Sequence, residues 1–274
     1  MIFSNVDFPA SNSPFIKNKL VIISRSSSLE ELLHELENKE LMFENYKVEY
    51  IRLESGNILY SERLILIKKI AEKITGKFSL TKPEIVLGIT FYENEWIFGI
   101  NHKNDFLWNS HHTKPYSYSN SFGVKLAKAL VNIATFGDAN SKIIDPCCGI
   151  GTTIVEGLSM NYNISGQEIN SLIAENANKN LIHYNLPPIV LNKDMHLITN
   201  FYDASIIDLP YGIFSHTSLT EQKKMIETGR KISSKMILIT FEPLEKTIEE
   251  CDFKIIDFCT LKKGNFKRHI YICE

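Results

Sequence analysis

Four acidic residues stand at or near the ends of short strand-like runs: Asp145 after Lys142-Ile-Ile, Glu168 near the end of 164–169, Asp194 after 189–191 and Asp208 after 204–207. Runs of this kind read as buried strands, and the amphipathic stretches between them as helices, so the alternation predicts a parallel sheet. Ligands of open α/β sheets bind along the C-terminal edge of the strands, where all four carboxylates would lie. The first is followed by Pro146-Cys147-Cys148-Gly149-Ile150-Gly151-Thr152 and then a helical run with Ile154, Val155 and Leu158 on one face. Gly149 and Gly151 allow a turn tight enough for a ligand to lie against bare backbone. A dinucleotide loop would need G-x-G-x-x-G, but position 154 is Ile, and no G-x-x-x-x-G-K-[ST] occurs, so phosphate-cradling loops are disfavoured. A carboxylate 17 residues after Gly151, Glu168, has the chemistry to accept both hydroxyls of a ribose.

The pattern Asp145-Pro-x-x-Gly-x-Gly-Thr152 resembles the cofactor loop of methyltransferases that use S-adenosylmethionine (SAM). The resemblance implies that Asp145 holds the ammonium end of SAM, directly or through water. It implies further that Glu168 holds the ribose and that Asp194 bonds the adenine amine while Met195 packs on its ring. Asp208-Leu209-Pro210-Tyr211-Gly212 resembles the Asp-Pro-Pro-Tyr signature of enzymes that methylate exocyclic amines of bases. Such amines are weak nucleophiles because the lone pair is delocalised into the ring. Hydrogen bonds from the NH₂ to the Asp208 carboxylate and the Leu209 carbonyl would localise charge on nitrogen. Pro210 biases the preceding backbone to an extended form, and Tyr211 offers a face on which a flipped base stacks. Catalytic roles therefore fall to Asp208, Leu209, Pro210 and Tyr211. Cofactor contacts fall to Tyr116, Asp145, Pro146, Cys147, Gly149, Gly151, Thr152, Glu168, Ile169, Asp194, Met195 and Asp208, with no metal.

Upstream, Lys114-Pro-Tyr-Ser-x-Ser119 and Leu126-Ala-Lys-Ala-Leu-Val-Asn-Ile-Ala134 are similar to the segment that precedes, and covers, the cofactor in THUMP-linked tRNA guanosine-N2 methyltransferases. Tyr46–Arg52 and Lys82–Thr90 resemble the THUMP module itself. The expected architecture is thus an α/β class I methyltransferase with a seven-stranded Rossmann-like sheet at 121–274, ending in a hairpin. A smaller α+β, THUMP-like domain would occupy 1–105, and a linker 106–120. The family methylates the exocyclic N2 amine of a guanosine in the D-arm region of tRNA. Leu209 departs from it, standing where relatives carry Pro, as do Ile213 and Phe214, where relatives often carry a basic residue. An adenine-N6 DNA methyltransferase is the alternative substrate reading. A non-catalytic SAM- or RNA-binding module is the alternative of another class, and the need for a protein activator stays open.

The remaining composition sets bounds. The chain has 274 residues, 44% hydrophobic and 23% charged, with a net charge of −2. That is ordinary for a globular protein, and nucleic-acid binding would have to use a local basic face. Lys262, Lys263, Lys267 and Arg268 form such a cluster around the hairpin turn. The five cysteines show no C-x-x-C, which disfavours disulfides and structural zinc; Cys147 and Cys148 read as packing. His102, His111 and His112 lack ligand spacing and read as surface residues. No apolar run approaches membrane-span length and no secretion signal opens the chain, so a cytoplasmic location is expected.

Overall fold

The computed structural model describes residues 1–53, 58–117, 122–210, 218–263 and 266–274, apart from the side chains of Lys263 and Phe266. The chain divides into two compact units, one of residues 1–11 and 15–105 and one of residues 12–14 and 106–274. Among the described residues no helix is long and apolar enough to cross a membrane.

The first unit runs β1 (Asn18–Ser26), α1 (Leu29–Asn38), β2 (Tyr46–Tyr50), α2 (Tyr60–Ala71), β3 (Ile85–Tyr92) and β4 (Glu95–Lys103). Its sheet has the order β1-β4-β3-β2, with β2 and β3 parallel. Ser28 caps α1 by accepting the Glu31 N–H at 3.2 Å, which fixes where that helix starts. Leu32 and Leu36 of α1 pack with Leu66 and Ile70 of α2 against Leu87, Ile89 and Phe98. Helical spacing of the apolar residues offers α2 an inward stripe through Leu64, Ile67 and Ile70, but Leu64 is half exposed and Leu66 is buried instead. Four consecutive apolar residues, 64–67, permit either stripe, and packing on the sheet selects Leu66 and Ile70, four apart on one face; Ile74, past the helix end, is buried too.

The second unit holds α3 (Val124–Thr135), β5 (Lys142–Asp145), α4 (Thr152–Ser159), β6 (Asn163–Glu168), α5 (Ser171–His183) and β7 (Val190–Asn192). It continues with β8 (Tyr202–Asp208), α6 (Leu219–Ile232), β9 (Ser233–Thr240), α7 (Glu245–Glu250), β10 (Ile255–Lys263) and β11 (Phe266–Cys273). The seven strands lie in the order β10-β11-β9-β8-β5-β6-β7, and β11 is antiparallel to both neighbours. This is the expected seven-stranded sheet closed by a hairpin. Side chains alternate across it. Ala204, Ile206, Ile237, Ile239 and Ile270 join the core under α3, α4 and α5, while Ile207, Met236, Leu238 and Tyr271 join the core under α6 and α7. From β5 the chain proceeds outward through β6 and β7, then returns to place β8 on the other side of β5. The crevice at this reversal opens between the ends of β5 and β8, which carry Asp145 and Asp208.

The segment expected as a linker is instead part of this unit. Leu107–Thr113 is a 3-10 helix with Trp108 buried at 4% exposure. His111, read from sequence as a surface residue, has a side chain only 11% exposed, and its Nδ1 lies 2.6 Å from Oε1 of fully buried Glu156. His112, beside it, is exposed, with its ring edge toward Trp108. Glu156 on α4 also faces the buried Lys128 ammonium of α3 at 3.6 Å. A carboxylate between a cation and a ring nitrogen is tolerated at this depth because each group compensates another's desolvation. Glu156→Ala removes the carboxylate that Lys128 faces, and is expected to lower unfolding free energy by about 3 kcal/mol. Urea titration with Glu156→Gln alongside checks it; a loss below about 1 kcal/mol would mean that the cluster does not stabilise the fold.

Candidate active site

A cavity of about 710 Å³ opens at the reversal between β5 and β8. Of the residues expected at a cofactor site, Asp145, Pro146, Cys147, Gly149, Thr152, Glu168, Ile169, Asp194, Met195 and Asp208 line it, joined by Leu209 and Pro210. Sequence positions 145 to 210 are thus brought together by four strand ends and the loops after them.

The glycine loop is held from both sides. Asp145, 4% exposed, accepts the Cys147 N–H at 3.2 Å and the Thr153 hydroxyl. Glu168 accepts the Gly149 N–H at 3.0 Å on Oε2 and the Asn170 N–H at 2.8 Å on Oε1. One carboxylate therefore ties the loop after β5 to the turn after β6. Each of its oxygens keeps a lone pair for a further donor. Gly149 has φ +53°, and a Cβ there would meet no atom within 4 Å, so bare backbone borders the cavity. Gly151 does not line it. This residue caps α4 at φ +77°, with Ala177 of α5 3.3 Å from the point a Cβ would occupy, so it serves close helix packing.

Asp194 accepts the His196 N–H at 2.9 Å and starts a 3-10 turn, Met195–Leu197. Met195 is buried, with its Sδ 3.4 Å from the Cys147 sulfur. Burial and the carboxylates Asp145 and Glu168 push both loop thiols well above the usual range, so Cys147 and Cys148 stay protonated and act in packing.

Asp208 differs from the other three acids. Its Oδ1 is buried and makes no hydrogen bond among the described residues. The next N–H, of Leu209, is spent on the Ile239 carbonyl at 3.0 Å. Leu209 itself is buried, which anchors the backbone on which Pro210 follows. Tyr211, and with it Gly212, Ile213, Phe214 and His216, lies outside the described residues.

Tyr116 does not line the cavity. Its backbone exchanges hydrogen bonds of 3.0 Å with Asn180 of α5, whose amide also donates to Ile150 O at 3.1 Å. Lys114 donates to Thr152 Oγ1 at 2.7 Å; burial lowers its pKa, and Glu156 opposes that shift. The 107–117 strap is thereby pinned to the glycine loop rather than placed inside the cavity. Thr153 and Asn180 were not singled out in the sequence. Thr153 was visible as the second Thr of Gly-Thr-Thr, whereas Asn180, on α5, gave no local signal.

Electrostatically the cavity is acidic: Asp145, Glu168, Asp194, Asp208 and Glu221 stand against Lys224. Burial pushes Asp145 up to about 7; the Thr153 and Cys147 donors pull the other way, and Glu168 adds to the rise. Burial also pushes Asp208 up to about 7, opposed by the Arg268 charge and reinforced by Asp145. Both shifts have the sign that burial gives a carboxyl, because it disfavours the charged form. They carry a pH dependence. In the folded chain these carboxyls hold protons that the unfolded chain releases near 4. The native state therefore binds more protons between about pH 4 and 7, and stability falls as pH rises through that window, levelling above it. The urea midpoint is expected to decline from pH 5 to 7.5, with a shallower decline in Asp208→Asn; an identical decline in both would refute the assignment.

A family profile described as the RMKL-like methyltransferase domain matches residues 112–237. Two curated relatives are tRNA (guanine(10)-N2)-dimethyltransferases. The one from Methanothermobacter thermautotrophicus is 25% identical over 80% of this chain and 70% of its own length. The one from Methanocaldococcus jannaschii is 28% identical over 67% of this chain and 58% of its own. A solved structure from Pyrococcus horikoshii, described as an RNA methyltransferase, shares the fold. It has a TM-score of 0.50 and 16% identity, over 62% of this chain and 94% of that one.

Proposed function

We propose that this chain, whose residues 112–237 match the profile of the RMKL-like methyltransferase domain, transfers a methyl group from SAM to the exocyclic N2 amine of a guanosine in tRNA. The curated relatives support the tRNA target. The observation that carries the chemistry is the buried Oδ1 of Asp208, without a hydrogen bond among the described residues, on the cavity wall next to Leu209-Pro210.

The residues present fit the cofactor: an acidic cavity for a cationic ligand, a carboxylate bridging two loops, and bare backbone at Gly149. When bound, SAM supplies a methyl on a positively charged sulfonium, an activated carbon with a good leaving group. Glu168 takes the ribose hydroxyls on its remaining lone pairs. Asp194 accepts from the adenine amine, and Met195 offers the adenine ring a polarisable face. Ile169 and Pro146 border the ligand, and Asp145 and the N–H groups beside Gly149 and Thr152 receive its amino-acid end. Asp208 and the Leu209 carbonyl accept the two amine hydrogens of the target base, which concentrates charge on its nitrogen and aligns it. An Asp208 carboxyl that titrates near neutrality is also suited to take the proton that nitrogen sheds. Tyr211 stacks on the base in this reading, and Tyr116 acts through the strap. Residues 1–105 are taken as the THUMP-like domain; their sheet flanked by α1 and α2 supports it.

The test is methyl transfer from labelled SAM to tRNA transcripts, followed by nucleoside digestion. Label in N2-methylated guanosine is expected. Label in N6-methyladenosine, or on DNA alone, would overturn the target, and none at all the enzyme.

A further inference from the structure

The acidic cavity admits a base but repels the phosphates attached to it, so the nucleic-acid backbone needs cations nearby. The β10–β11 hairpin supplies them on the correct edge. His269 of β11 pairs with Thr240, the last residue of β9, so residues 266–268 and their partners 261–263 run past the sheet's ligand-binding edge. There Lys262 stands directly opposite Lys267, both exposed, and Leu261 opposite Arg268. Like charges directly opposed in a sheet are destabilising. Among the described residues no salt bridge relieves either lysine. Alternation puts Arg268 on the face of Ile270, and Phe241 on the face of Ile239, Ile206 and hence Asp208. The Arg268 guanidinium lies 5.3 Å from the Phe241 ring centroid, an interaction that holds it at that edge.

We propose that Lys262, Lys267 and Arg268 form the phosphate-binding group that seats the RNA backbone while the target base enters beside Asp208. The inference rests on the tRNA reading and adds where the RNA strand runs. The unfavourable lysine pair is then explained: an RNA phosphate between the two ammonium groups relieves their repulsion. Arg268, whose charge already reaches Asp208, acts as a positioning residue at the pocket mouth.

The test measures binding of a fluorescent tRNA transcript to the full chain across a salt series, with tRNA KM, kcat and SAM affinity alongside. K262Q/K267Q is expected to flatten the log–log salt slope by about 0.7–0.9 for each phosphate that these lysines neutralise in the wild type. KM for tRNA should rise roughly tenfold at constant kcat, with SAM affinity unchanged. K262R/K267R should keep the wild-type slope. R268Q should flatten the slope by about the amount due to a single phosphate, and R268K should restore it. A wild-type slope in K262Q/K267Q overturns the inference, as does equal flattening in the charge-keeping variants. If the wild-type chain neither binds nor methylates tRNA, the functional reading itself has failed; a working wild type with unaltered variants fails the hairpin alone.

Discussion

Asp208→Ala is expected to lower methyl transfer about 10³-fold, the scale of removing one preorganised electrostatic group from a reacting centre, while leaving SAM affinity within a few-fold of wild type. The asymmetry follows from the geometry. Among the described residues the Asp208 Oδ1 bonds nothing, and the backbone behind it is fixed by Leu209 N–H on Ile239 and by the burial of Leu209. Losing its carboxylate therefore removes the acceptor for the incoming amine without dismantling the cofactor wall. The folded chain is expected to become more stable above pH 7, since a buried carboxylate that ionises at a cost is gone. Single-turnover kinetics with calorimetric SAM titration measures both sides. Turnover near wild type would remove Asp208 from catalysis; a comparable collapse of SAM binding would make it a cofactor residue instead.

Glu168→Ala is expected to do the opposite, weakening SAM binding about 100-fold or more. A hydrogen bond to a charged group contributes roughly 1.5–3 kcal/mol, and leaving a buried donor unsatisfied adds to the loss. Glu168 satisfies two backbone donors, Gly149 N–H and Asn170 N–H, on two different loops. Its removal frees the glycine loop and deletes the ribose acceptor together. Glu168→Gln, which retains one acceptor oxygen, should recover part of the affinity. Equal SAM affinity in Glu168→Ala and wild type would mean the cofactor does not lie along this wall.

The acidic wall of the cavity was legible in sequence because its signals are local. Asp145, Glu168 and Asp208 end β5, β6 and β8, and Asp194 follows β7 by two residues; an acid at a strand end needs no long-range information to find. Gly149 and Gly151 were equally visible as a pair. That one opens on the cavity while the other packs on Ala177 depends on α5, 26 residues further along. The strap 107–113 was hidden for a related reason. A polar, aromatic run with Pro115 after it looks like a linker, and its anchor, Glu156, sits 45 residues away on α4. Lys128 is polar at a position where α3 packs inward, so periodicity alone assigns it to solvent; only the carboxylate of Glu156 makes its burial tolerable. The inward face of α2 was ambiguous within the run 64–67 and was decided by the sheet it covers.

The most direct measurement is a crystal structure of the chain with S-adenosylhomocysteine. The ribose hydroxyls are expected on Glu168, the adenine against Met195 and Asp194, and the sulfur facing Asp208 and the Leu209 carbonyl across a gap wide enough for a purine amine. A ligand seated elsewhere, or a sulfur turned away from Asp208 with the space between them filled by protein, would contradict this expectation.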